Sequence, residues 1–332
     1  MTLSTRRLGK TGFQTTSIGF GAWAIGGTWG EVTEAEAKAT LHAALDAGVN
    51  FIDTADVYGD GRSERIIAAV MAERGHANPR PFVATKAGRR LNPHVAEGYN
   101  VANLEAFVDR SRANLQMDCL DLVQLHCPPT SVYAGPAIYD VMETLKAKGK
   151  IAAYGVSVEK ITEAMEAIRH PGVASVQIIY NLFRQRPADG FLAAAKAADV
   201  AVIARVPLAS GLLTGKMTAF STFAPDDHRS FNRNGEAFDK GETFSGVPYD
   251  IALAAVQELR ALVPAGTSMA AFALRWILME NAVSVVIPGS KSAAQSQTNA
   301  LADAVDALPP STLDKARDIY TRLIAPHVAH LW

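Results

Sequence analysis

Short apolar runs alternate along this chain with longer segments whose apolar residues recur every three or four positions. The short runs predict strands at Ser17–Gly21, Asn50–Asp53, Phe82–Lys86, Leu120–His126, Ala153–Ser157, Ser175–Ile179, Val200–Arg205 and Val283–Ile287. Several are continuous rather than alternating, as parallel strands covered on both faces require. The longer segments predict helices, most clearly over Glu34–Ala47, Ser63–Glu73, Leu104–Leu115, Ala137–Ala147, Ile161–Ile168, Gly190–Ala198 and Met269–Met279. Eight strand-then-helix units point to an α/β fold of the (β/α)8 barrel type. A doubly wound sheet would place a G-x-G-x-x-G turn after an early strand, and the chain has none with that spacing.

Three segments stand outside the repeat. Arg7–Thr16 contains Gly9-Lys10-Thr11-Gly12-Phe13, a hairpin signal expected to plug the N-terminal end of the barrel. Ser210–Val247 is long, polar and carries five phenylalanines, and a loop of that length on a compact domain is usually functional. The tail from Leu308 to Trp332 reads as one helix followed by an irregular end. With no linker or low-complexity stretch, residues 1–332 are expected to form one domain.

Composition narrows the partners. Of 332 residues, 48% are hydrophobic and the formal net charge is −1, which favours a small-molecule ligand over nucleic acid or a membrane surface. The two cysteines, Cys119 and Cys127, flank one predicted strand and lie too far apart to bridge. Reduced thiols, and no apolar segment behind the basic pair Arg6-Arg7, lead to the expectation of a cytoplasmic location. The sequence does not choose between monomer and homo-oligomer.

In such a barrel the chemistry gathers where strands end at the C-terminal face. Strand two ends in Asp53, with Tyr58 on its loop; strand three ends in Lys86 and strand four in His126. Ser157, Gln177 and Arg205 mark strands five to seven. A buried lysine needs a counter-ion, and Asp53 on the next strand can supply it. A charged Lys86 near Tyr58 is expected to lower the phenol's pKa from about 10 toward the neutral range. His126 can polarise a carbonyl. Alone, Lys86 reads as a snorkelling side chain, His126 as a core histidine and Asp53 as a helix cap, though Ser63 is the expected cap of the helix after Tyr58. Four ionisable groups on one rim are hard to obtain by packing.

These residues carry a resemblance to the aldo-keto reductase superfamily. It rests on Gly19-Phe-Gly-Ala-Trp23, Phe51-Ile-Asp-Thr-Ala-Asp-Val-Tyr-Gly59, Ala84-Thr-Lys86, Leu122-Val-Gln-Leu-His126, Gly155-Val-Ser157, Pro207-Leu-Ala-Ser-Gly-Leu-Leu-Thr-Gly-Lys216 and Val286-Ile-Pro-Gly-Ser290. The resemblance implies an NADPH-dependent reductase of aldehydes or ketones built on a barrel without a Rossmann motif. It makes Asp53, Tyr58, Lys86 and His126 the catalytic tetrad, with Tyr58 the proton donor in reduction.

The cofactor contacts it implies begin with Gly21 and Trp23 and continue with Ser157 and Gln177 on the nicotinamide carboxamide. The family often has Asn after that serine, where this chain has Val158, and commonly a stacking tyrosine where it has Arg205. Pro207, Leu208, Gly211, Leu212 and Lys216 match the loop over the pyrophosphate. Gly289, Ser290 and Lys291 match the 2′-phosphate site, with Gln295 in place of a frequent arginine and Asn299 at the adenine. NADPH is therefore expected over NADH. No metal is expected, since His327 and His330 lack further ligands. Cys127 is not read as a nucleophile, because acyl-transfer partners do not accompany it. The alternative is an NADPH-binding redox-sensing subunit with slow turnover.

Overall fold

The computed structural model describes residues 2–27, 29–75 and 79–332. Thr28, within the predicted pocket loop Trp23–Trp29, lies outside the described residues. Hydrogen bonding sorts the described strands into two sheets. The small one pairs β1 (Thr5–Arg7) with β2 (Gln14–Thr16) antiparallel. The large one contains β3 (Phe20–Gly21), β4 (Phe51–Asp53), β5 (Phe82–Ala87), β6 (Leu120–His126), β7 (Ile151–Ser157), β8 (Val173–Ile179), β9 (Ala201–Arg205) and β10 (Val283–Val286). These eight run parallel, each beside its neighbour in sequence.

The sheet curls round until its first and last strands meet. The Gly19 N–H donates to the Val286 carbonyl (2.8 Å), and the Val286 N–H to the Ser17 carbonyl (2.9 Å). Bridges at Ile18–Val286 and Gly21–Gly289 complete the seam. Helices between the strands cover the outside, so β8 is buried along its whole length, its polar Ser175 and Gln177 included. The predicted (β/α)8 barrel is the observed architecture.

The hairpin plugs the barrel as expected. Leu8, fully buried, packs with Phe51, Ala84, Leu122, Ile203 and Val285 inside the ring of strands. Next to it Gly9 has φ +48°, and a Cβ there would lie 2.5 Å from the backbone nitrogen of Ala201. Only glycine fits that turn.

Three readings need correction. Ser63 does not cap the Arg62–Glu73 helix; left-handed Gly61 precedes it. The Ser63 hydroxyl instead donates to the Ala22 carbonyl (3.1 Å) and accepts from Thr54 (2.8 Å), tying that helix to strand ends. A polar residue near a helix start reads as its cap, but burial gives this one other partners. The tail is not irregular after its helix: Pro310–Ile319 runs into a wide π-turn at Tyr320–Ile324 and a last turn at Ala325–Val328. Trp332 then docks, its indole N–H donating to Asp239 (3.1 Å) with the Arg184 guanidinium over its ring at 3.8 Å. Finally, the Ser210–Val247 excursion leads into a helix at Tyr249–Arg260 that the periodicity reading left out. No described helix is long and apolar enough to cross a membrane.

Gly9→Ala adds both a left-handed alanine and a backbone clash. It should lower the unfolding free energy by about 2–4 kcal/mol in urea titration. A loss under about 0.5 kcal/mol would contradict the plug geometry.

Candidate active site

Parallel register brings the ionisable strand ends together. Asp53 pairs in register with Ala84, Lys86 with Gln124, His126 with Ser157, and Ser157 with Gln177. Lys86 is 1% exposed, so its ammonium must be fully partnered. It donates to Asp53 Oδ1 (2.5 Å) and the Thr54 carbonyl (2.8 Å), and lies 3.4 Å from the Tyr58 hydroxyl. Asp53 Oδ2 accepts from the side-chain amides of Gln177 (2.7 Å) and Gln124 (3.2 Å). Burial alone would lower the Lys86 pKa; the Asp53 and Tyr58 oxygens outweigh it and hold the ammonium above its ordinary value.

The phenol behaves otherwise than the sequence suggested. Enclosure raises the Tyr58 pKa; Lys86 pulls it down, but not by enough, and Asp53 adds to the rise. Lys86 is a brake on the increase, because Asp53 already screens its charge. Tyr58 is therefore a phenol across the neutral range. His126 is pushed the opposite way: burial first, then Arg89, Lys86 and Arg205, hold it well below its ordinary value, so the imidazole is neutral. Its ring meets that of Tyr58 edge-on with centroids 6.0 Å apart, and its Nδ1 has no hydrogen-bond partner among the described residues.

A second buried ionic group closes the same wall. Arg205, at the end of β9, donates to Glu159 (2.7 Å) and the Val158 carbonyl (3.0 Å), and lies 3.5 Å from Glu242. Arg89 completes the set at 2.9 Å from Glu242 and 3.5 Å from Glu159. The guanidinium expected to offer a free stacking plane is thus held in place by carboxylates. Cys127, Glu159 and Glu242 have ligand atoms within 4.8 Å of one another. Both carboxylates already face arginines, and burial pushes the Cys127 thiol far up, so this group is a poor cation cage.

A cavity of about 590 Å³ runs from Tyr58 and His126 to the start of the Ala293–Ala300 helix. At the near end Trp23 and Trp29 make an aromatic wall, their rings edge-on at 5.4 Å, with Trp23 stacked toward Tyr58 at 6.0 Å. At the far end lie Ser290, Lys291 and Asn299. Asn299 donates to the Ser290 hydroxyl (3.0 Å), and Gln295 accepts from the Lys291 backbone (2.7 Å). Lys291 forms no ion pair among the described residues, and burial lowers its pKa. A cation with no ion pair among the described residues, at a helix start, is suited to a phosphate. The shape and donor set fit an elongated ligand with a phosphate-bearing end and a flat polar end.

The model described as the Aldo/keto reductase family matches residues 17–320. The chain belongs to the aldo-keto reductase family, a family of oxidoreductases. It is similar to an aldo-keto reductase, YhdN, of Bacillus subtilis, 34% identical over 87% of this chain and 85% of the relative. It is also similar to a probable voltage-gated potassium channel subunit beta of Oryza sativa, 30% identical over 93% and 94% of the two chains. A solved aldo-keto reductase from Klebsiella pneumoniae in complex with NADPH shares the fold, with TM-score 0.69, 22% identity and 96% of each chain covered.

Of the residues singled out in this aldo-keto reductase sequence, Asp53, Tyr58 and His126 line the cavity, while Lys86 sits behind them. Gly21, Trp23, Ser157, Gln177 and Arg205 line its near half. Pro207, Leu208, Gly211 and Lys216 border the loop side, and Gly289, Ser290, Lys291, Gln295 and Asn299 the far end. Leu212 does not reach it; its side chain belongs to the core. Sequence reasoning missed Glu242 and Arg229, both on the cavity wall but inside the irregular excursion, and Arg89 and Glu159, each two residues past a strand end. Position just beyond a strand was the available signal for the last two.

The second aspartate of the Tyr58 motif is out of place energetically. Asp56 is fully buried, and neither carboxylate oxygen has a partner among the described residues. Burial and then Glu64 push it up to about 7. A raised acid binds its proton more tightly folded than unfolded, so stability falls as pH rises from about 4 to 7. Asp56→Asn should stabilise the protein by about 1–3 kcal/mol at pH 8 and by little at pH 4, read from urea midpoints. An equal effect at both pH values would rule out this assignment.

Proposed function

We propose that this protein reduces the carbonyl of an aldehyde or ketone with NADPH, with Tyr58 as proton donor. The observation that carries this reading is the buried line Asp53–Lys86–Tyr58 ending at a cavity beside a neutral imidazole. A bound reduced nicotinamide supplies hydride to the substrate carbon. Ser157, Gln177 and Arg205 would hold its ring end, Gly211 and Lys216 its pyrophosphate, and Ser290, Lys291 and Asn299 its phosphorylated adenosine. The relative solved with NADPH supports the choice of cofactor.

The chain's own residues handle the oxygen. A neutral His126 has one N–H to donate, and turned to the cavity it fixes the substrate oxygen and polarises the carbonyl. Tyr58, kept as a phenol by enclosure, has a proton to give as negative charge grows on that oxygen. The phenolate left behind faces the Lys86 ammonium at 3.4 Å, which stabilises it. Asp53 fixes Lys86 and keeps it charged. The aromatic wall of Trp23 and Trp29 excludes water from one side.

Tyr58→Phe removes one oxygen from this line. Turnover of a good aldehyde, followed by NADPH absorbance, should fall about 10²- to 10⁴-fold. The dissociation constant for NADPH should stay within about twofold, since the hydroxyl is not among its proposed contacts. Retained turnover would overturn the assignment. The likeness to a potassium channel subunit beta favours a second reading, a cofactor-binding regulatory subunit. Stopped-flow measurement separates the two: with a good substrate a reductase oxidises bound NADPH faster than it releases it, whereas a sensor releases NADPH faster than it oxidises it.

A further inference from the structure

In the four-membered group of Arg89, Glu159, Arg205 and Glu242 only Arg205 has a role above, yet the whole group lies against the reacting end of the cavity. Substrate oxygen sits at Tyr58 and His126, so a hydride-donating ring must occupy the adjoining wall. That wall is the run of neighbouring strand ends carrying Ser157, Gln177 and Arg205. Arg205 is 7% exposed, and its Nε has no hydrogen-bond partner among the described residues. A guanidinium there opposes the positive charge that the nicotinamide ring carries only when oxidised. The size of that opposition depends on how fully the carboxylates beside Arg205 cancel it.

We propose that Glu159 sets the relative affinity of the site for oxidised and reduced nicotinamide cofactor by compensating the Arg205 cation, or leaving it bare. The inference rests on the NADP(H) reading above. Two guanidiniums share two carboxyls. With both carboxyls ionised the group is balanced; with one protonated it holds a net positive charge beside the ring. The groups facing Glu159 are Arg205 on β9, Arg89 after β5, Glu242 and Asp239 on the excursion, Arg184 after β8, and Cys127 and Tyr133 after β6.

Glu159 is the carboxyl that takes the proton. Burial, against the pull of Arg205 and helped by Glu242 and Asp239, raises it to about 8. Burial would also raise Glu242, but Arg89 and Arg205 outweigh it and hold Glu242 low. Arg89, held above its ordinary value, and Cys127, Tyr133 and Arg184 do not titrate between pH 7 and 9. Burial holds Cys127 and Tyr133 neutral, and lowers Arg184 only to about 10. Tyr58 and Lys86 are raised and His126 lowered, so they too lie outside that window. Below it the group's uncompensated positive charge disfavours the oxidised ring and promotes release of spent cofactor. Above it Glu159 is ionised and the penalty disappears.

The test is a ratio of dissociation constants, NADP+ over NADPH, measured on the whole protein by fluorescence titration and competition at pH 7 and pH 9. The two cofactors share every phosphate, so the ratio isolates the charge of the ring. The ratio for the unaltered protein should fall roughly tenfold from pH 7 to pH 9. Glu159→Gln should hold the ratio near the pH 7 value at both pH values. A ratio that does not move with pH in the unaltered protein overturns the inference, and needs no variant to do so. The same fall in Glu159→Gln also overturns it, by assigning the proton elsewhere. If neither cofactor binds, the functional reading itself fails and takes this inference with it. Tight binding of both at a fixed ratio removes only the role of Glu159.

Discussion

A lysine buried at the rim of the barrel, 1% exposed and 2.5 Å from Asp53, is the constraint on which the site depends. An ammonium taken out of water without a partner would cost several kcal/mol or lose its proton. Asp53 prevents both, and is in turn held by Gln124 and Gln177 from strands β6 and β8. The pair therefore reaches across the barrel and sets the positions of several strand ends at once. It contributes more to where groups point than to stability, because desolvation of two charges offsets most of their attraction. Tyr58 receives its orientation from this arrangement rather than a low pKa.

The same wall carries two kinds of buried charge. Lys86 is paired one to one with Asp53, and its ammonium is held charged. Arg89, Arg205, Glu159 and Glu242 are shared among four, and one carboxyl of the set is driven toward its protonated form by burial and its neighbours. The first arrangement is fixed and the second is adjustable. The excursion that supplies Glu242 is itself held by Trp332, docked on Arg184 and Asp239. A segment distant in sequence thus bears on the charge lining the cavity.

The barrel was legible because its signals are local. The β9 run from Ala201 to Ala204 is apolar throughout, and Leu120–His126 begins and ends where it was expected. The grouping at the rim was legible because Asp53, Lys86 and His126 sit at strand ends, so the fold dictates their neighbours. The sign of the Tyr58 shift was not legible, since it depends on enclosure by surrounding walls and on Asp53 screening Lys86. Nor was Glu242, which lies among short helical turns whose path is set by tertiary contacts. Ser63 shows a similar limit: the sequence shows a capping residue, and only the packed structure shows the Thr54 and Ala22 partners that claim its hydroxyl.

The central claim is that Lys86 and Asp53 depend on one another inside the rim. A double-mutant cycle of unfolding free energies with Lys86→Met, Asp53→Leu and the double variant tests it most directly. Each single variant strands one buried charge and should lose about 3–5 kcal/mol. The double variant strands none and should be more stable than either single variant, with a coupling of at least about 2 kcal/mol. Losses that simply add, leaving the double variant the least stable of the three, would contradict the account.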